Sequence, residues 1–400
     1  MPAALLEAPP VRPQPTPRRR KLRRLRWLRR LSDLDRTVLV TYLVTRLALL
    51  VTAYCVARLF PADPDAKRAR PLLSVWEQWD WWHYRRIAEF GYFPGAGRAD
   101  DNAEAFFPGF PLVLRAVHLV VPHWTLAGLL ISLVSGAVAA LALARIAGGG
   151  AAGGRAVLLL LLSPCAVFLA AGYTEALFLA LALPAWLAAR RDRWALAGVL
   201  AAAATAVRIS GLFLTAALLV QFLVTYRGNR QWWRRWRRLS WLALPVLPAF
   251  AYTAYLRAET GDWMAWKHAQ ERGWYREFHP PWEAWAHTWS TAFDGAYPTG
   301  YALLCQAELL AMLLGLGLLG WLLRGRRWPE ATYVALTLWA LGTSYWYTSV
   351  PRATLLWWPL WTGLAAWTLR RPRAATVLLC GLTPLTTLYA VVFLTGRWAG

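Results

Sequence analysis

Acidic residues are scarce in this chain. Of its 400 residues 21 are Asp or Glu, against 44 Lys or Arg, and the formal net charge is +23. Such a balance fits a nucleic-acid binder poorly here, because the bases form short clusters between apolar runs, the pattern of cytoplasmic membrane loops. Cysteine is sparse too. Cys55, Cys165, Cys305 and Cys380 are scattered through apolar segments, with neither metal-ligand spacing nor a disulfide framework. Strand-length alternation of apolar and polar residues is missing, which argues against a membrane β-barrel. No internal repeat points to a transporter with inverted halves.

What the chain does have is apolar length. It is 58% hydrophobic and holds 27 Trp, and its apolar runs approach the ~20 residues that cross a bilayer as helix. The fold class expected is an all-α polytopic membrane protein. Residues 1–36 read as a disordered, Pro-rich and then basic cytoplasmic N-terminus, with Arg18 to Arg30 as a topology signal. Residues 37–400 read as the membrane domain. The run from Val38 to Phe60 is long for a signal peptide and reads as an uncleaved first span.

The segment 61–121 is then a first exterior loop. Within it, Ala105 to Val121 is either a short span or a helix lying on the exterior face; placing every later Arg cluster on one side favours the surface helix. The later spans are expected at Trp124–Ala147, Ala156–Gly172, Thr174–Ala189, Trp194–Val207, Gly211–Tyr226, Leu239–Leu256, Tyr301–Leu323, Trp328–Tyr347, Thr354–Leu369 and Ala374–Leu394. That makes about 11 transmembrane helices with a second large exterior loop at 257–300. On this scheme all six histidines and most acids fall on the exterior side, where chemistry can be done.

The richest stretch is Trp79 to Tyr92 (WDWWHYRRIAEFGY). Asp80 reads either as an interfacial acid paired with Arg85 or Arg86, or as a general base taking a proton from an attacking hydroxyl. Ala105-Phe106-Phe107-Pro108 is a wedge turning the chain into the membrane face, or a pocket wall. Glu175, after Tyr173 and Thr174, opens a helix whose dipole favours an anion; binding of an acceptor is the other reading. Arg208 interrupts a long apolar stretch at a hairpin tip, and Arg352 marks another tip. Either can hold a lipid phosphate or simply mark a loop. Trp and His in 257–300 serve sugar stacking or headgroup anchoring equally well.

The Trp-Asp-x-x-x-Tyr-x-x-Ile-Ala-x-x-Gly-Tyr run at 79–92 resembles the first exterior loop of the PIG-V-like mannosyltransferases, the GPI mannosyltransferase 2 family. So do Ala105-Phe106-Phe107-Pro108 with Pro111, Ser163-Pro164 with Tyr173-Thr174-Glu175, and Arg208 with Gly211. The match in order and spacing covers residues 75–211; the later half matches in hydropathy and in the Pro351-Arg352 tip.

The resemblance implies a GT-C glycosyltransferase bundle with its catalytic acid in the first exterior loop, at Asp80. It implies a polyprenyl-phosphate sugar donor, mannose, without a metal or other cofactor. With that donor, Arg208, Arg352, His83 and Tyr84 are expected around the phosphate, and Trp79, Trp82, Phe107, Tyr173 and Glu175 around the sugar or acceptor. The Arg/Ala-rich, Lys-poor composition fits a bacterial plasma membrane, with a glycan or glycolipid acceptor other than a GPI precursor; a eukaryotic chain would lie in the ER membrane. The partners expected are donor, acceptor and bilayer, and no nucleic acid. A lipid-linked sugar flippase or transporter, or the same fold carrying arabinose or glucose, are the alternatives.

Overall fold

The computed structural model describes residues 31–60, 69–93, 102–227 and 236–398. Arg18 to Arg30 and the rest of the basic N-terminal segment to residue 30 lie outside the described residues. The described chain is helical throughout, with no strand among the described residues. Helix α1 (Asp33–Leu59) starts earlier than expected, so residues 33–36 belong to the bundle. Ser32 caps it, accepting the Asp35 N–H at 3.1 Å.

Among the described residues five helices are long and apolar enough to cross a membrane: α1, α4 (Trp124–Ile146), Trp236–Thr260 taken as one unit, α12 (Thr299–Arg324) and α15 (Pro372–Leu394). The other expected spans are shorter helices. They are α5 (Gly150–Leu161), α6 (Thr174–Arg190), α7 (Trp194–Val207), α8 (Ser210–Tyr226), α13 (Trp328–Gly342) and α14 (Trp358–Leu369). Between α1 and α4 lie α2 (Asp80–Phe90) and α3 (Gly109–His118). Ten residues of α3 reach about 15 Å, half of the ~30 Å hydrocarbon core.

Two expected segments are corrected. Ala156–Gly172 is not one helix: α5 stops at Leu161 and a 3-10 segment runs over Pro164–Leu169. Pro164 lacks an N–H and clashes with the preceding turn. The Thr386 hydroxyl of α15 covers the carbonyls left over, donating to Leu162 O and to Ser163 O at 3.2 Å. Leu239–Leu256 is likewise broken, into a turn, a 3-10 segment over Ser240–Ala243 and α9 (Val246–Thr260), around Pro245. The loop 257–300 is mostly helix, carrying α10 (Ala265–Trp274) and α11 (Pro281–Phe293).

The core is built by close approach of small residues. Helix α4 packs on α6, and α6 on α7. Their facing positions include Ala139, Ala140, Ala176, Ala182, Ala197, Ala201 and Ala204, all buried. Where lipid replaces water outside the bundle, such backbone approach is a main source of helix association. The start of α6, the end of α7, the start of α8 and the turn before α14 come together at one end. The clusters at Arg190-Arg191, Arg324 and Arg370-Arg371 close the opposite ends of α6, α12 and α14.

Candidate active site

The site begins with how α2 is seated. Trp81, Tyr84, Ile87 and Ala88 form one buried face at helical spacing. Trp81 fills a slot between two glycines on neighbouring segments. A Cβ on Gly128 or on Gly172 would stand 2.6 Å from its ring. Gly128→Ala and Gly172→Ala are each expected to lose about 1–3 kcal/mol by overpacking; thermal unfolding in detergent checks this.

Trp79 turns the chain into α2 at φ 48°, a left-handed value unusual for a bulky residue. Its indole N–H donates to Arg397 O at 3.1 Å and its ring meets Trp398 edge-on. The turn sets Asp80 as the first residue of α2, where the helix dipole favours a carboxylate.

Asp80 then meets residues far away in sequence. Arg352 NH1 donates to Asp80 Oδ2 at 2.7 Å, and Arg352 Nε donates to Glu175 Oε1 at 2.6 Å. Arg208 NH1 donates to the same Glu175 oxygen at 2.7 Å and to the Thr174 hydroxyl at 2.6 Å. Glu175 is the hub: its side chain is 1% exposed and lies between two guanidinium groups. Asp80 at 15% and Arg208 at 29% keep an opening to solvent. Asp80 touches Arg352 directly, because a desolvated guanidinium needs an acceptor at hydrogen-bond distance.

Arg352 is held from every side. Its guanidinium lies over Phe168 at 4.6 Å and Tyr173 at 4.8 Å. Its turn is fixed by Glu308 on α12, whose two oxygens accept the N–H groups of Ser349 and Val350, both at 2.8 Å. Ser349 sits at φ 65°. Burial opposes the Arg352 charge, but the Glu175 and Asp80 carboxylates outweigh it and hold its pKa above the ordinary value. The Tyr173 hydroxyl donates to Gln78 O at 2.6 Å, tying the start of α6 to the turn before Asp80. Tyr173→Phe is expected to cost about 1 kcal/mol in thermal unfolding and to raise KM more than it lowers kcat.

Six of the expected site residues converge here: Asp80, Tyr84, Tyr173, Glu175, Arg208 and Arg352. Tyr84 packs against Phe110 and Tyr173; burial, reinforced by Asp80, pushes its phenol pKa up, so it stays neutral. His83 lies at the edge, stacked on Phe106 at 4.6 Å and near Trp274. Burial lowers its pKa against the opposing pull of Asp80. Three others are placed elsewhere. Trp79 packs on Trp398; Trp82 is 51% exposed on the opposite face of α2; Phe107 packs on Tyr252 at 5.0 Å.

Gln78 and Arg276 stood outside the expected site residues. A backbone carbonyl has no sequence signature, and Glu308 sits in an apolar helix without any motif. Among the described residues no group of three His, Cys, Asp or Glu is placed to hold a metal.

A segment of this chain aligns with a known enzyme. It is 36% identical over 177 residues to GPI alpha-1,6-mannosyltransferase 2 of Mus musculus, covering 40% of this chain and 34% of that one. The Homo sapiens protein of the same name is 35% identical over 174 residues, covering 40% and 34%. Over this segment the chain is similar to GPI alpha-1,6-mannosyltransferase 2. The resemblance read from the motifs at 79–211 agrees with that similarity. The chain spans about a third of the length of these relatives. No protein-family model matches the chain. Among solved structures, an Archaeoglobus fulgidus oligosaccharyltransferase tethered with an acceptor peptide overlays with a TM-score of 0.40. The two are 12% identical, and the overlay covers 90% of this chain and 55% of that one.

Proposed function

We propose that this chain is a membrane glycosyltransferase of the GT-C kind, moving mannose from polyprenyl-phosphate mannose to a glycan or glycolipid acceptor outside the cytoplasm. The observation that carries the reading is the Asp80–Arg352–Glu175–Arg208 network, in a chain homologous to a mannosyltransferase. Asp80 Oδ2 is engaged by Arg352, which leaves Oδ1 to accept the proton of an acceptor hydroxyl. That oxygen forms the new bond to the anomeric carbon. The bond from the anomeric carbon to the phosphate oxygen breaks with inversion, and the electron pair leaves on the phosphate. Arg352 NH2 and Arg208 Nε and NH2 remain to meet that growing charge. A phosphate leaving group needs no strong general acid, so the mechanism asks for neither metal nor cofactor.

Purified protein in proteoliposomes, given labelled polyprenyl-phosphate mannose and a lipid and glycan extract, is expected to move label to an acceptor. Transbilayer movement of the labelled lipid without product would favour a flippase instead. The described charged cluster lies at one end of the helices rather than along a path, which supports the enzyme. Parallel assays with arabinosyl and glucosyl donors test the sugar.

A further inference from the structure

The network above uses two arginines, each matched by carboxylates. A third, Arg276, is not matched. It follows α10, where Tyr275 at φ 54° turns the chain off the helix. The chain around it is pinned on both sides of the site. Trp274 packs against His83 and Phe106, beside α2. Tyr275 O accepts the Tyr345 N–H at 3.2 Å, and Thr343 O accepts the His279 N–H at 3.0 Å. These two bonds bind the segment carrying Arg276 to the one leading into the Ser349–Arg352 turn.

The electrostatic neighbours of Arg276 are Arg208, Glu308, Arg352 and Asp80. Its Nε is buried and has no hydrogen-bond partner among the described residues. None of the neighbouring acids pairs with it. Glu308 spends both oxygens on Ser349 and Val350, Glu175 serves Arg208 and Arg352, and Asp80 serves Arg352. A cation whose Nε is buried without an acceptor, within electrostatic reach of two further guanidinium groups, is costly. Burial first, and then the like charge of Arg208, push its pKa down to about 10.

We infer that Arg276 is the cation that receives the phosphate of a lipid-linked sugar donor, a reading that rests on the proposed glycosyl transfer. The phosphate supplies the acceptor oxygens that the protein withholds. The bound donor is a phosphodiester with one negative charge; the departing polyprenyl phosphate is a monoester approaching two. Arg276 therefore binds the leaving group more strongly than the donor, which is the differential that accelerates transfer.

The test is equilibrium binding of radiolabelled polyprenyl phosphate to the full-length protein in lipid nanodiscs. Polyprenol is the uncharged control and inorganic phosphate the competitor. Wild type is expected to prefer the phosphorylated lipid over polyprenol, and Arg276→Met to weaken its binding by about 10–100-fold, the scale of charge-assisted hydrogen bonds. Polyprenol binding and the melting temperature should hold, since the variant removes an unpaired charge. Arg276→Lys should recover part of the affinity. If Arg276→Met unfolds, Arg276→Gln is read in its place.

Undiminished phosphate preference in a folded Arg276→Met or Arg276→Gln overturns the role of Arg276 while leaving the glycosyl-transfer reading intact. A wild type with no preference over polyprenol overturns both. Displacement of the lipid by inorganic phosphate at matching affinity assigns the site to a free phosphate and overturns the lipid-linked assignment.

Discussion

Asp80→Asn is expected to keep the fold, keep binding of the lipid-linked donor, and lose sugar transfer by about 10²–10⁴-fold, the contribution of a positioned general base. The substitution keeps the shape of the side chain, and an amide oxygen can still accept the Arg352 NH1 hydrogen bond now made at 2.7 Å. What it removes is an oxygen able to take up a proton from an acceptor hydroxyl. The measurement is kcat with labelled polyprenyl-phosphate mannose, beside a melting curve and donor binding for the same sample. Near-wild-type turnover would reduce Asp80 to a partner that orients Arg352. Arg352→Met separates the two roles: with Asp80 as the base, it weakens turnover through the phosphate and leaves proton transfer in place.

The largest effect on stability is expected at Glu175. Its buried carboxylate answers Arg208 and Arg352 at once, and Arg352 itself is 7% exposed. Glu175→Ala leaves Arg208 without its acidic partner and Arg352 with Asp80 alone. Breaking a buried pair from one side typically costs about 3–5 kcal/mol. Chemical unfolding in mixed micelles should show a loss of that size, with Glu175→Gln between the variant and wild type because the amide oxygen still accepts. Turnover should fall in both, since Arg352 is then free to swing Asp80 out of position. A Glu175→Ala protein as stable as wild type would mean that water reaches the hub and screens both guanidinium groups.

Much of this site was visible along the chain because its parts are polar residues where apolar ones are expected. Asp80 between two tryptophans, Arg208 inside a long hydrophobic stretch and Arg352 after Pro351 each stand out against their neighbours. At 105–121 two readings stood, a short span or a surface helix, and charge bookkeeping favoured the second. The tryptophans carry no distinguishing signal, for a physical reason. An indole stacks on a sugar, anchors at a headgroup or packs on a helix with the same composition around it. Only the rotation of α2 separates buried Trp81 from exposed Trp82.

From its residue order alone this chain was bound to be a helical membrane protein. Apolar runs of spanning length force every backbone polar group into helix, and clustered arginines mark one set of helix ends. The same order placed a carboxylate and two guanidinium groups at helix ends. It did not decide that they touch, that Glu175 joins them, or that Arg276 lies within their electrostatic reach with its Nε unpartnered among the described residues. Those contacts join residues up to 272 positions apart. They arise where α2, α6, α7 and the Ser349 turn are packed against one another, and close packing, unlike periodicity, leaves no trace in any single stretch of sequence.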